Sequence, residues 1–342
     1  MRTLSNEFRR GSYVRLQRGV YLPTGDWLAA TPWGRYAIAT AAMGASGLDP
    51  VFAGETALLL HDVELGPGTR DIHWQTNHAS EVGRRPTSLA YGNEAVSLEM
   101  LAGLAAHRGS PGRLQLPPGV GTARHLPATG TLTSRSLPEL GLELRFEALD
   151  GALAATLPRL GFASAVVVVD GVLAGRAAAG SARTRVQLEA LAASATSAAA
   201  SSRMLAAIGF GDARSESVGE SLSRATIHLL GFAPPELQYE IREDGRVVAR
   251  TDFHWPEAGV VGEFDGRIKY MRSLDLSGRS PGQVVFDEKQ REDALRARGL
   301  RFVRWVWADL ERPSLLAAKL LAAGVPRRPG AWTGASGNYR SA

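Results

Sequence analysis

Residues 251–266 read TDFHWPEAGVVGEFDG. An extended apolar segment reaches Asp252, and the Trp-Pro pair at 255–256 interrupts it, because proline cannot donate to a sheet ladder. Eleven residues beyond Asp252, Glu263 lies inside a second run, VVGEFDG. Side chains alternate across a strand, so Glu263 and Asp265 share one face and Phe264 takes the other. If the two runs are neighbouring strands, Asp252, Glu263 and Asp265 converge near the edge of the sheet. Gly266 then lets the chain turn, and Lys269 follows.

Working outward, helical spacing at Leu222, Ile227 and Leu230 predicts a helix over 220–230. Strands are predicted over 237–242, 246–253 and 260–265. A helix over 283–298 ends at Gly299, and a last strand covers 301–306. The order α-β-β-β-α-β predicts an α/β sandwich spanning about 215–322. Trp305 and Trp307 alternate with Val306, which predicts a shared face used for packing rather than base stacking.

Three converging carboxylates suit a hard divalent cation, Mg2+ or Mn2+, which prefers oxygen ligands and keeps waters that a phosphate can displace. Such an ion lowers the pKa of bound water and offsets charge developing on phosphate oxygens. Asp252, Glu263 and Asp265 are the candidate ligands, Lys269 the candidate contact to phosphate or water, and Glu220 an outer contact from the preceding helix. The competing reading is a solvated turn. Against it stands the apolar neighbourhood of Asp252, where an unpaired buried acid would be costly.

The rest of the chain is less ordered in pattern. Residues 4–10 read as a short helix, followed by Gly11 and strands at 13–16 and 20–22 joined by a tight turn at 17–19. A helix is predicted over 26–45 and another over 54–61. Residues 63–147 read as a small β-rich region, 148–214 as an alanine-rich helical connector, and 323–342 as a disordered tail. His73, His78, His107 and His125 lack metal-ligand spacing, and His254 lies beyond Asp252 at the Trp-Pro break.

Three blocks, GESLSRATIHLLGF, TDFHWPEAGVVGEFDGRIKY and EKQREDALRARGLRFVRWVW, resemble the C-terminal module of a group of actinobacterial proteins related to the Vsr mismatch-repair endonucleases and the PD-(D/E)xK superfamily. The resemblance covers roughly 215–310. It implies Asp252 and Glu263 as metal ligands and a basic contact at Arg291 on the helix beside the sheet. It also implies a lysine two residues after the glutamate, where this chain has Asp265. Either Lys269 substitutes from a shifted position or hydrolysis is lost. The segment NEFRRGSYVRLQRGVYL resembles the winged-helix portion of AbiEi-type antitoxins, covering residues 1–62 in part. That resemblance implies phosphate contacts from Arg9, Arg10, Arg15 and Arg18, and raises the question of a toxin partner. A hairpin held only by the next domain is the alternative.

Composition sets the outer bounds. The 342 residues carry a net charge of +5 and no cysteine, which excludes disulfides and thiolate metal sites. The pI of about 9.8 is compatible with DNA as a partner. Lysine occurs only at 269, 289 and 319 among 39 basic residues, all three inside the sandwich segment. The most apolar stretch, residues 163–169, is too short for a membrane span, and the N-terminus is polar and arginine-rich, so the expectation is a soluble cytoplasmic protein with no membrane partner. A nuclease and a catalytically inactive DNA-binding regulator are the two functions carried forward.

Overall fold

The computed structural model describes residues 4–68, 70–87, 89–92, 116–127, 130–178, 180–243, 246–266 and 299–328. They form a mixed α/β protein with helices and three sheets, divided at Leu157/Pro158 into two compact units. Among the described residues no helix is long and apolar enough to cross a membrane.

The first unit opens with α1 (Leu4–Arg9) and the antiparallel hairpin β1 (Tyr13–Gln17) and β2 (Val20–Pro23). Gly19, at φ +78°, supplies the left-handed turn that closes it. A single helix over 26–45 is not formed. Instead α2 (Thr24–Ala29) stops before Thr31, and α3 (Pro32–Gly44) starts afresh. The reason is local: Pro32 disfavours helical backbone at the preceding residue, and Thr31 caps the new helix by accepting from Gly34 N at 3.0 Å. Val14, Leu16, Trp27, Leu28 and Ala42 form the core beneath the hairpin.

Strand β3 (Val51–Phe52), helix α4 (Gly54–Leu60) and strands β4 (Ile72–Gln75), β5 (Gly83–Arg85), β6 (Thr122–His125), β7 (Leu132–Leu137) and β8 (Leu142–Glu147) follow, then α5 (Leu149–Thr156). The strands make one six-stranded mixed sheet in the order β5-β6-β4-β3-β8-β7. The β-rich reading of 63–147 therefore extends back to β3, which joins the sheet between β4 and β8.

The second unit begins with α6 (Phe162–Leu173), α7 (Arg185–Ala193) and α8 (Ala198–Phe210). The run Val166–Val169 is buried on all sides, as its unbroken apolar character requires. Helix α9 (Val218–Leu229) and strands β9 (Glu236–Glu243), β10 (Arg246–Trp255), β11 (Val260–Asp265) and β12 (Arg301–Val306) come next. They build a four-stranded sheet ordered β12-β11-β10-β9, antiparallel except where β11 runs parallel to β12. The predicted helix over 283–298 lies outside the described residues.

Helices α10 (Trp307–Glu311) and α11 (Pro313–Ala323) close the unit. Trp307 starts α10 rather than continuing β12: it packs edge-on to Phe264, whereas Trp305 is fully buried and donates to Ser223 Oγ at 2.7 Å. The start of the expected disordered tail is tied down. Ala233 N donates to Pro326 O, and Arg328 N to Gly231 O.

Candidate active site

The sheet's two faces are set by residue size as well as polarity. On one face Phe253, Trp255, Val303 and Trp305 pack with Ile227 of α9. Gly262 belongs to this face, since a Cβ there would lie 2.7 Å from the Trp305 ring, and a Cβ on Gly219 of α9 would lie 1.9 Å from Phe264. Helix α9 thus rides closely on the end of β11 because Gly219 carries no side chain. Phe264 faces the helix, and its neighbours in the strand, Glu263 and Asp265, face away.

The register Phe253↔Gly262, His254↔Val261 and Trp255↔Val260, carried one residue further, sets Asp252 opposite Glu263. Asp252 Oδ2 accepts from Phe264 N at 2.9 Å, which fastens the acid to the neighbouring strand. Glu263 is buried, 8% exposed, and its Oε2 accepts from Arg304 on β12 at 3.1 Å. Glu263 and Arg304 face one another in the parallel register, so the ion pair follows from strand alignment. The two carboxylates lie on the two central strands of the sheet, β10 and β11, rather than at its edge as the sequence suggests.

Asp265 ends β11, half-buried. Among the described residues no three acidic or imidazole groups come together closely enough to hold a metal ion. Of the three candidate ligands, Asp252 and Glu263 are the two that the register sets opposite one another. Lys269 and Arg291 lie outside the described residues.

Glu220 has a different environment. It is 3% exposed and sits in the first turn of α9, where Ser217 caps the helix by accepting from Glu220 N at 3.2 Å. Its Oε1 accepts from Ser217 Oγ at 2.7 Å, and its Oε2 from Glu216 N at 2.9 Å and Gln238 Nε2 at 2.7 Å. This is a reciprocal cap extended to β9. Gln238, which sequence reasoning missed, occupies the β9 position facing Asp252, between the pairs Tyr239↔Thr251 and Leu237↔Phe253. His254 stacks on Tyr239 with ring centroids 3.9 Å apart and approaches Glu236 at 3.5 Å.

The basic residues of the N-terminal segment are all exposed: Arg9 and Arg10 at the end of α1, Arg15 on the outer face of β1 and Arg18 in the turn. Arg10 lies 3.9 Å from Glu7, and Arg15 stands over the Phe8 ring at 5.6 Å. Such groups stay hydrated and are available to a polyanion. In the same unit His73 Nδ1 and His125 Nε2 lie 2.8 Å apart in stacked rings, held by the parallel β4–β6 pair.

No family profile matches the chain. It is similar to two uncharacterized proteins from two strains of Mycobacterium tuberculosis, 33% identical over 112 residues in each case. The match covers 32% of this chain and 38% of each relative. No solved structure matches.

Proposed function

We propose that the α9–β12 sandwich is a PD-(D/E)xK-type, Vsr-like phosphodiester hydrolase acting on DNA, with Mg2+ or Mn2+ as cofactor. The observation that carries the reading is the acid pair, Asp252 and Glu263, opposed across the central strands β10 and β11 behind a helix–strand–strand–strand order. The donor set fits: Mg2+ needs only one or two carboxylates and keeps the rest of its shell for water and phosphate. When bound, the ion supplies a more acidic water and charge neutralisation at the phosphate. Asp252 and Glu263 would hold it. The Phe264 amide fixes the Asp252 carboxylate against β11, and Arg304 offsets part of the negative charge on Glu263. Lys269 would contact the phosphate or the attacking water. The exposed arginines 9, 10, 15 and 18 would track the backbone of the duplex.

Incubating the purified chain with supercoiled plasmid and Mg2+ or Mn2+ tests the reading. Nicking that needs metal and disappears in Asp252→Ala is expected; no nicking, or equal nicking by the variant, overturns it.

A second reading is a catalytically inactive DNA-binding regulator or antitoxin-like protein. Arg304 on Glu263 and Asp265 in place of a lysine favour it. Salt-sensitive DNA binding would then survive loss of Asp252 and Glu263, need no metal, and vanish when residues 1–25 are removed.

A further inference from the structure

The second unit holds a cavity of about 490 Å3 whose lining includes neither acid of the pair. It lies among the C-terminal end of α6, the N-terminal end of α7 and the segment joining α8 to α9. Its charged lining is Arg183, Arg185 and Arg214 against the single carboxylate of Asp212, so positive charge is in excess.

Two of these guanidiniums are fixed before any ligand arrives. Arg185 donates through Nη1 to Ile208 O and through Nη2 to Gly211 O at 2.7 Å, at the carbonyls left over where α8 ends. Arg214 holds Asp212 with Nε at 3.1 Å and Nη2 at 2.7 Å. Asp212 is anchored in turn: its Oδ1 accepts from Arg214 N at 2.9 Å, and its amide donates to Asp170 Oδ1 at 2.8 Å. The planar guanidinium has more donors than these bonds use. Both arginines are exposed, so an anion can reach those that remain. The N-terminal end of α7, at Thr184 and Arg185, opens on the same space and adds its positive partial charge.

The arginines of α1 are held less firmly: Arg9 has a 3.5 Å bond to Ser5 Oγ, and Arg10 lies 3.9 Å from Glu7. A loose side chain loses conformational freedom on binding; Arg185 and Arg214 have lost it already in the folded chain. The volume falls in the range of pockets for small molecules, about 300–1,000 Å3, and suits a nucleotide's length of strand. The cavity also adjoins the sandwich. After Asp212, the carboxylate acting on Arg214 is Glu236, at the start of β9. Glu236 pairs in register with His254 and lies 3.5 Å from it, and His254 is two residues beyond Asp252 on the same face of β10.

We propose that this cavity binds a backbone phosphate of the DNA strand, on the β9 side of the acid pair, with Arg185 and Arg214 as the donors. The proposal rests on the DNA reading above and is independent of metal and of hydrolysis.

Fluorescence anisotropy of a labelled duplex oligonucleotide with the full chain, repeated over a range of NaCl and paired with thermal melts, tests the site. Wild type should bind with an affinity that falls as salt rises. Arg214→Gln should lower the slope of log affinity against log salt by about 0.9, whereas Arg214→Lys keeps the charge and should keep the slope. Arg185→Gln should lower the slope equally, and decides the matter if Arg214→Gln does not fold. Wild-type slopes in both glutamine variants overturn the proposal and leave the DNA reading standing. A slope that falls as far in Arg214→Lys also overturns it, as a structural role. Inorganic phosphate, titrated at constant ionic strength, separates a free anion from the strand: phosphate binding that needs Arg214, with DNA slopes unchanged, overturns the proposal too. A wild-type chain that binds no duplex at low salt removes the DNA reading and this proposal together.

Discussion

Glu147 closes β8 in the first unit and Glu263 lies near the end of β11 in the second, and the two are equally buried, 7% and 8% exposed. Their partners differ. Glu147 accepts from Gly54 N and Gln75 Nε2, both at 2.9 Å, so it caps the start of α4 and ties it to β4 and β8. Glu263 answers instead to a cation, Arg304, with a second acid, Asp252, opposite. Burial alone therefore does not mark a functional acid. Glu147 is held by N–H donors of its own scaffold, whereas Glu263 is held by a guanidinium and set opposite another carboxylate across a strand pair.

Asp170 is a third buried acid and bounds the comparison from the architectural side. It is fully buried in α6, where Arg224 Nη2 reaches both its oxygens at 2.8 Å and Asp212 N adds a third bond at 2.8 Å. Burial pushes this carboxyl above its ordinary value, against the pull of Arg224. Asp170→Ala strands the Arg224 charge in the interior and should cost about 3–5 kcal/mol in denaturant unfolding. Replacing both residues by apolar ones of similar volume should recover much of that loss. A single variant as stable as wild type would show that burial does not set the scale for these acids.

Glu147→Ala removes the acceptor from two N–H donors and should cost about 1–3 kcal/mol. Mn2+ affinity should not move. A variant that loses metal binding with its fold intact would break the division between the two glutamates.

Glu263→Gln is the converse case. The amide keeps the volume and an oxygen for Arg304, whose side chain is 29% exposed and can stay hydrated, so stability should stay within about 1 kcal/mol of wild type. Mn2+ affinity should fall by more than about tenfold, because an amide lacks the charge a hard cation selects. A stability loss as large as that of Glu147→Ala, with metal binding unchanged, would make Glu263 architectural too.

How far the sequence exposes this arrangement depends on the distance between partners. The acid pair was legible because strand alternation and the Trp-Pro break are local signals, and the predicted strands at 260–265 and 301–306 coincide with β11 and β12. Arg304, far along the chain from Glu263, gives no sign in the sequence that it completes the ion pair; only the parallel register brings them together. Asp170 and Arg224 are likewise distant, and Asp170 is hidden behind a valine run that reads only as helix. The left-handed Gln238 left no trace because strand propensity describes side chains, not φ. At Pro32 the signal is local: proline with a threonine before it is a helix start. Lys269, the expected contact to phosphate or water, falls outside the described residues.

The smallest effect belongs to charges that need no partner at all. Arg15 and Arg18 on the hairpin are exposed, so alanine at either should change stability by no more than about 0.5 kcal/mol. Their contribution would appear only against a polyanion. If they contact phosphates, each substitution should lower the slope of log affinity against log salt by about 0.9, and the double variant by about twice that. The acid pair should be insensitive to this test, since it offers duplex DNA no favourable charge in the absence of metal. An unchanged slope with the hairpin folded would remove these arginines from the interface, and would leave the sandwich to account for any DNA binding by itself.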